Sequence, residues 1–296
     1  MPLYRPSELQ QFLATLGISP KKSLSQNFLI DGNILRKISQ FADLHPADQV
    51  IEIGPGPGAL TEQMLDLGCF VVAIEKDRLF AEALSRLVKG TARNGRLNVF
   101  EADVMDVDFI ATLDRLGFGR ETQAKVVANI PYHLTTPIME KIILNAERIS
   151  MAVLMVQEEV ARRCVAHPGT KDYSSLTIFL QFYTDVQYGF LVPARCFYPI
   201  PRVESAVIRL TMKKELPLAA IERKMFFKII HTVFQQRRKM IKVSLRQFFD
   251  SKIVVSALEK IHKTEKTRPE ELSVAEWVQF FQALSQLLPN IAQYLI

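Results

Sequence analysis

Between Gln49 and about Leu210, short apolar runs alternate with stretches in which apolar residues recur every three or four positions. The runs VIEIG (50–54), FVVAIE (70–75), LNVFEAD (97–103), KVVANI (125–130), MAVLMVQ (151–157), VQYGFLV (186–192) and SAVIRLTM (205–212) predict strands. β-Branched residues are frequent in them, and such side chains pack well on a pleated surface. Between the early runs, LTEQMLDLG and DRLFAEALSRLVKG carry the helical period, with Gly68 and Gly90 as expected C-caps. Strand and helix in alternation predict the α/β class, with a mostly parallel sheet covered on both faces. The last two runs are joined by a Pro-rich loop and could pair antiparallel at the sheet edge.

After KKELP (213–217) the strand pattern stops. Two domains are therefore expected, residues 1–215 and 216–296, the second small and all-helical. In MFFKIIHTVFQQRRKMIKVSLRQFF, apolar residues at 226, 230, 233, 234, 241, 245 and 248 fall on one face of a continuous helix. Gln235, Arg238, Lys239, Lys242 and Arg246 fall on the opposite face. Arg237 lands on the apolar side, where it must snorkel or pair.

Charge sharpens this division. Ile221 to Arg268 holds 13 Lys and Arg against 4 Asp and Glu, so the rest of a chain of net charge +6 carries −3. A basic segment of this kind suits a polyanionic partner, although it is also what a solvated face looks like. Hydrophobic residues make up 48% and charged residues 23%, the balance of a globular protein. The longest apolar runs fall far short of the roughly 18 residues that span a bilayer, so no membrane segment is expected. The first residues, MPLYRPSELQQFLATL, do not read as a secretory signal. Cys69, Cys164 and Cys196 are odd in number and form no C-x-x-C pair, which points to a reducing compartment such as the cytoplasm. The five histidines show no ligand spacing, and no metal is assigned.

The candidate chemistry lies at the ends of the predicted strands. EIGPGPG (52–58) follows the first strand and opens a helix, so its glycines can turn sharply and admit a ligand where a side chain would collide. Gly54, Gly56 and Ala59 fit the dinucleotide-type spacing, and a tight turn without a ligand stays open as the alternative. No G-K-[ST] ending follows, which disfavours nucleoside triphosphate hydrolysis. Glu75 ends the second strand, 21 residues after Gly54, where an acid can accept both hydroxyl hydrogens of a ribose. Asp103 ends the third in the same topological position and could bind the amine of an adenine. Either acid could instead cap its strand in water. Glu52 suits the loop's amides or a ligand equally.

The fourth strand stops at Asn129 and passes directly into Ile130, Pro131 and Tyr132. The side-chain carbonyl of Asn129 and the main-chain carbonyl of Ile130 could accept the two hydrogens of a planar amine. Pro131 would fix the turn, and Tyr132 could stack on a flat base, a contact typically worth ~1–3 kcal/mol. A plain strand-end turn with a half-buried tyrosine is the competing reading.

EIGPGPG (52–58), IEKD (74–77) and NIPYHLTTPI (129–138) together resemble the S-adenosylmethionine-dependent rRNA adenine N6-dimethyltransferases, specifically the KsgA family acting on small-subunit rRNA. SQNFL (25–29), MVQEEVARR (155–163), FYPIPRVESAVIRL (197–210) and FQQRRK (234–239) extend the likeness from about Lys21 to Trp277. Against the usual N-L-P-Y-N-I-S, the chain departs at Ile130, His133, Leu134 and Thr135.

The resemblance implies a Rossmann-like class I methyltransferase domain with a seven-stranded sheet. It implies that Asn27 and Leu29 close over S-adenosyl-L-methionine, Gly54 lies along it, Glu75 holds the ribose and Asp103 the adenine amine. Asn129 would serve both the methionine end and the target amine, with Phe197 facing Tyr132 across a flipped base. Lys21 and Lys22 would contact phosphate or simply aid solubility, and Arg238, Lys239, Lys242 and Arg246 would meet RNA. The implied partner is 16S rRNA in an immature small ribosomal subunit, methylated twice on each of two neighbouring adenosines near the 3′ end by a cytoplasmic monomer. Three rivals remain: a large-subunit rRNA methyltransferase of the macrolide-resistance type, a non-catalytic RNA-binding or transcription factor, and a nicotinamide dehydrogenase.

Overall fold

The computed structural model describes residues 3–17, 27–89, 91–119 and 121–288. Gly90, Lys21 and Lys22 lie outside them. The chain divides into two compact units, Met1–Ala161 with Val186–Met212, and Arg162–Asp185 with Lys213–Ile296. The expected single cut at 215/216 is thus replaced by three chain crossings. Arg162–Asp185 goes with the helical unit although strands precede and follow it in sequence.

Strands of the first unit begin with β1 (Phe28–Leu29), β2 (Gln49–Ile53), β3 (Phe70–Glu75) and β4 (Leu97–Glu101). They continue as β5 (Ala124–Asn129), β6 (Ile149–Gln157), β7 (Thr184–Val192), β8 (Phe197–Tyr198) and β9 (Ser205–Met212). Seven form one sheet in the order β4-β3-β2-β5-β6-β9-β7, while β1 and β8 pair as a separate two-stranded ribbon. The five strands from β4 to β6 are parallel and β9 runs antiparallel to β6. The strand order reverses between β2 and β5, which opens a crevice beyond their carboxyl ends.

Period-two alternation sends Val50, Val71, Ala73, Val127 and Val153 to one face of this sheet. There they meet Leu35 and Ile38 of α2 (Gly32–Phe41) and Leu60 and Met64 of α3 (Ala59–Asp66). Asp31 caps α2 by accepting from the amides of Asn33 and Ile34, at 2.8 and 3.2 Å. The first helix, α1 (Pro6–Thr15), buries Leu9 and Leu13 against Phe28 and Phe80.

The second unit packs the helices Ser175–Tyr183, Ala220–Gln235, Ser251–Lys260 and Val274–Leu287 around Tyr173, Phe182, Phe226, Trp277 and Phe281. Full burial of an aromatic or aliphatic side chain contributes ~1.5–3 kcal/mol, so this cluster gives the unit a core of its own. The continuous basic helix expected through Arg246 is broken. Ala220–Gln235 ends at Gln235, a turn follows, and only Ile241–Ser244 resumes helix. Tertiary hydrogen bonds outcompete the helical ones: Ile241 N–H donates to the Thr267 carbonyl at 3.0 Å. Arg237 pairs rather than snorkels, donating to the carbonyls of Lys171 and Thr170 at 2.6 and 3.2 Å. Among the described residues no helix is long and apolar enough to cross a membrane.

Candidate active site

Five residues, Gly54 to Gly58, carry the chain from β2 into α3, with positive φ at Gly54, Gly56 and Gly58. Gly58 sits at φ +90°, where an L side chain is strained, and a Cβ there would also lie 2.6 Å from Leu84 Cδ2. A Cβ on Gly56 would press to 3.1 Å from the Phe28 ring. At Gly54 the nearest atoms are 4.0 Å away, the Asn129 carbonyl oxygen and Pro131 Cδ. The loops after β2 and β5 thus lie side by side with room between them.

The carboxylates are held by the chain itself. Glu75 Oε2 accepts the Gly56 amide at 2.9 Å and Oε1 the Asp77 amide at 2.8 Å. Burial raises its pKa against the pull of those hydrogen bonds. Glu52 shares the sheet face of Val50 and therefore points at α3, where Oε2 accepts the Thr61 hydroxyl at 2.6 Å. Full burial pushes Glu52 up to about 8, opposed by the Thr61 bond and reinforced by Glu75. Asp103 lies beyond β4, which stops at Glu101. One of its oxygens accepts from Lys76 Nζ at 2.8 Å and the other from the Met105 amide at 2.9 Å. The Lys76 hydrogen bond, with the Met105 amide, holds Asp103 below the usual carboxylate range.

Asn129 is the last residue of β5, and its Nδ2 donates to the Asn27 carbonyl at 3.2 Å. Pro131 leads into a short 3-10 turn, Tyr132–Leu134. The Tyr132 hydroxyl lies 2.7 Å from Ser205 Oγ, and burial raises its pKa.

These groups converge on a cavity of about 160 Å³. Its lining includes Asn27, Leu29, Gly54, Gly56, Glu75, Asp103, Asn129, Ile130, Pro131 and Tyr132, all expected from sequence. Lys76, Phe28 and Phe80 also line it and were not singled out, although Lys76 sits inside IEKD and Phe28 inside SQNFL. Phe197 does not line it. Its pairing with Leu29 across β1 and β8 turns the ring into the core, 1% exposed, beside Val192 and Cys196. The Phe197 ring thus packs in the core rather than on the cavity wall.

On the second unit, Arg238, Lys239 and Arg246 are exposed, whereas Lys242 forms an ion pair with Glu265. They do not share one helical face: the first two stand in the turn, Lys242 in Ile241–Ser244 and Arg246 beyond it. Among the described residues no cluster of three or more metal-ligating side chains occurs.

The family model described as Ribosomal RNA adenine dimethylase matches residues 17–286. The chain is 47% identical over 284 residues to Ribosomal RNA small subunit methyltransferase A of Protochlamydia amoebophila, covering 96% of this chain and 98% of that protein. It is 44% identical over 281 residues to the protein of the same name from Chlamydia felis, covering 95% of each. Among solved structures, a dimethyladenosine transferase from Plasmodium falciparum superposes with a TM-score of 0.71 at 26% identity, covering 86% of this chain and 95% of that one. The 23S rRNA methyltransferase ErmE gives 0.68 at 26% identity, covering 88% and 100%.

Proposed function

The chain belongs to the ribosomal RNA adenine dimethylase family, and from that premise we infer that it dimethylates N6 of two adjacent adenosines near the 3′ end of 16S rRNA, with S-adenosylmethionine as methyl donor. The small-subunit reading rests on relatives at 44–47% identity, against 26% for the 23S enzyme.

The residues present suit an adenosyl donor. Glu75 and Asp103 are acceptors at neighbouring strand ends, as ribose hydroxyls and an adenine amine require, and Phe28 and Phe80 supply apolar wall. Gly54 leaves open the space that a side chain would fill. When bound, the donor supplies an electrophilic methyl group on a sulfonium. Asn27, Leu29, Gly54, Gly56, Glu75 and Asp103 would hold it.

The observation that carries the catalytic reading is Asn129 at the end of β5, beside the glycine loop at the sheet's switch point. An adenine amine is a poor nucleophile because its lone pair is conjugated with the ring. With Nδ2 engaged by Asn27, the Asn129 carboxamide oxygen is left as an acceptor for one amine hydrogen. The Ile130 carbonyl takes the other, and Tyr132 stacks on the base. No general base is needed, since the proton leaves after transfer.

The substrate in this reading is an immature small subunit, whose target bases can still be flipped out of the stack. Three free, buried cysteines suit the cytoplasm. The exposed Arg238, Lys239 and Arg246 would contact phosphate. Labelled methyl transfer to 30S particles from an unmethylated strain tests this, with mass spectrometry of both rRNAs. Asn129→Ala should abolish transfer while the fold persists, and near-normal turnover would refute its role. Methylation confined to 23S rRNA would overturn the substrate.

A further inference from the structure

We propose that Ser205 is a positioning residue for the target base, acting through the Tyr132 hydroxyl; this rests on the reading that Tyr132 stacks on that base. The two hydroxyl oxygens lie 2.7 Å apart, although the residues are 73 positions apart in sequence. Ser205 is fully buried and opens β9, in register with Gln157 at the end of β6. Its hydroxyl is therefore anchored to the sheet.

Tyr132 needs such an anchor. It begins a short 3-10 turn rather than sitting in a strand or long helix, so the backbone alone defines the ring plane weakly. Its main-chain carbonyl accepts the Thr135 hydroxyl at 3.0 Å, which holds the near end of the residue. Ser205 holds the far end. A ring fixed at both ends offers its face to an incoming base without first losing rotational freedom, and the amine then arrives in one orientation. Alanine would fill position 205 as well for packing alone, and a buried hydroxyl is tolerated only when it has a partner. Here the partner is a cavity-lining side chain.

The test compares Tyr132→Ala, Tyr132→Phe, Ser205→Ala, Ser205→Thr and the double variant Ser205→Ala/Tyr132→Phe. Single-turnover methyl transfer to unmethylated 30S particles is measured beside donor affinity by calorimetry. Loss of one orienting hydrogen bond should slow transfer about 5- to 10-fold in Ser205→Ala and in Tyr132→Phe alike, with donor affinity unchanged. The double variant should be no slower than either single one, and Ser205→Thr should recover most of the loss by keeping the hydroxyl. Normal transfer by Ser205→Ala alongside a crippled Tyr132→Ala would overturn the positioning role and leave stacking intact. So would defects that multiply in the double variant. Normal transfer by Tyr132→Ala would instead remove the stacking reading, and this proposal with it.

Discussion

At the strand ends of the first unit, the polar groups are held by other parts of the chain, whereas most cations between Arg238 and Arg246 stand in solvent. Glu75 has an amide on each oxygen, Asp103 a lysine and an amide, Asn129 a carbonyl and Tyr132 a serine. In the second unit Lys242 has Glu265, while Arg238, Lys239 and Arg246 are exposed. In the proposed function this difference would separate two kinds of recognition. Groups that must meet particular atoms are ordered before the ligand arrives. Charges that only need to gather phosphate act at a distance and gain little from being fixed.

The contrast breaks if a strand-end acid behaves like a surface charge. Glu75→Ala should weaken donor binding ~100-fold, since it deletes charge-assisted acceptors and strands the Gly56 amide. Isothermal calorimetry in 50 and 300 mM salt should find the deficit almost salt-independent. Glu75→Gln should fare poorly too, because one carbonyl oxygen cannot serve both amides and the new NH₂ opposes one of them.

A second measurement concerns Glu52, whose carboxyl is raised from 4.5 to about 8 by burial. Between those values the native state keeps a proton that the unfolded chain has released, so stability falls as pH rises from 4.5 to about 8 and levels off above. The slope from this group should approach ~1.4 kcal/mol per pH unit, tenfold in the folded-to-unfolded ratio. Glu52→Gln keeps an acceptor for Thr61 and should flatten the dependence, read by urea unfolding at pH 6 and 7. An unchanged slope would show that Glu52 is ionised in the native state. Asp103 runs the other way: held low by Lys76, it stabilises above the usual carboxylate range and loses that contribution on acidification.

The smallest effects belong to the cations. Arg238→Ala, Lys239→Ala and Arg246→Ala should each weaken rRNA binding only a few-fold, and each should lower the salt slope by about one. Lys242→Ala should matter less, its charge being already matched by Glu265. Equal slopes for all four in filter-binding titrations would erase that distinction.

How much of this was legible beforehand follows from the range of each interaction. The seven long strands showed as apolar runs, and the glycine loop, Glu75 and Asn129 lay at their ends, because local period and turn chemistry are written in adjacent residues. The ribbon of β1 and β8 has two residues per strand, too few for any period. The burial of the Phe197 ring is not legible locally, because that pairing decides which way it points. QQRRK has good helix formers, and nothing local announces that Thr267 will take the amide of Ile241. Ser175–Tyr183 was assigned to the strand-bearing domain by its place in the chain, while its partners Phe226 and Phe281 come much later. The hydroxyl of Ser205 was missed for the same reason.

The interrupted path of the chain has a consequence for cutting it. A protease that nicks the linker after Met212 would not release a self-sufficient fragment, because Tyr173, Ile178 and Phe182 reach the helical core from upstream of the nick. A gene truncated to residues 213–296 would likewise encode helices with a missing wedge, exposing Phe226 and Trp277 to water and inviting aggregation. Any attempt to transplant the helical unit onto another protein has to carry residues 162–185 along as a second, covalently separate piece.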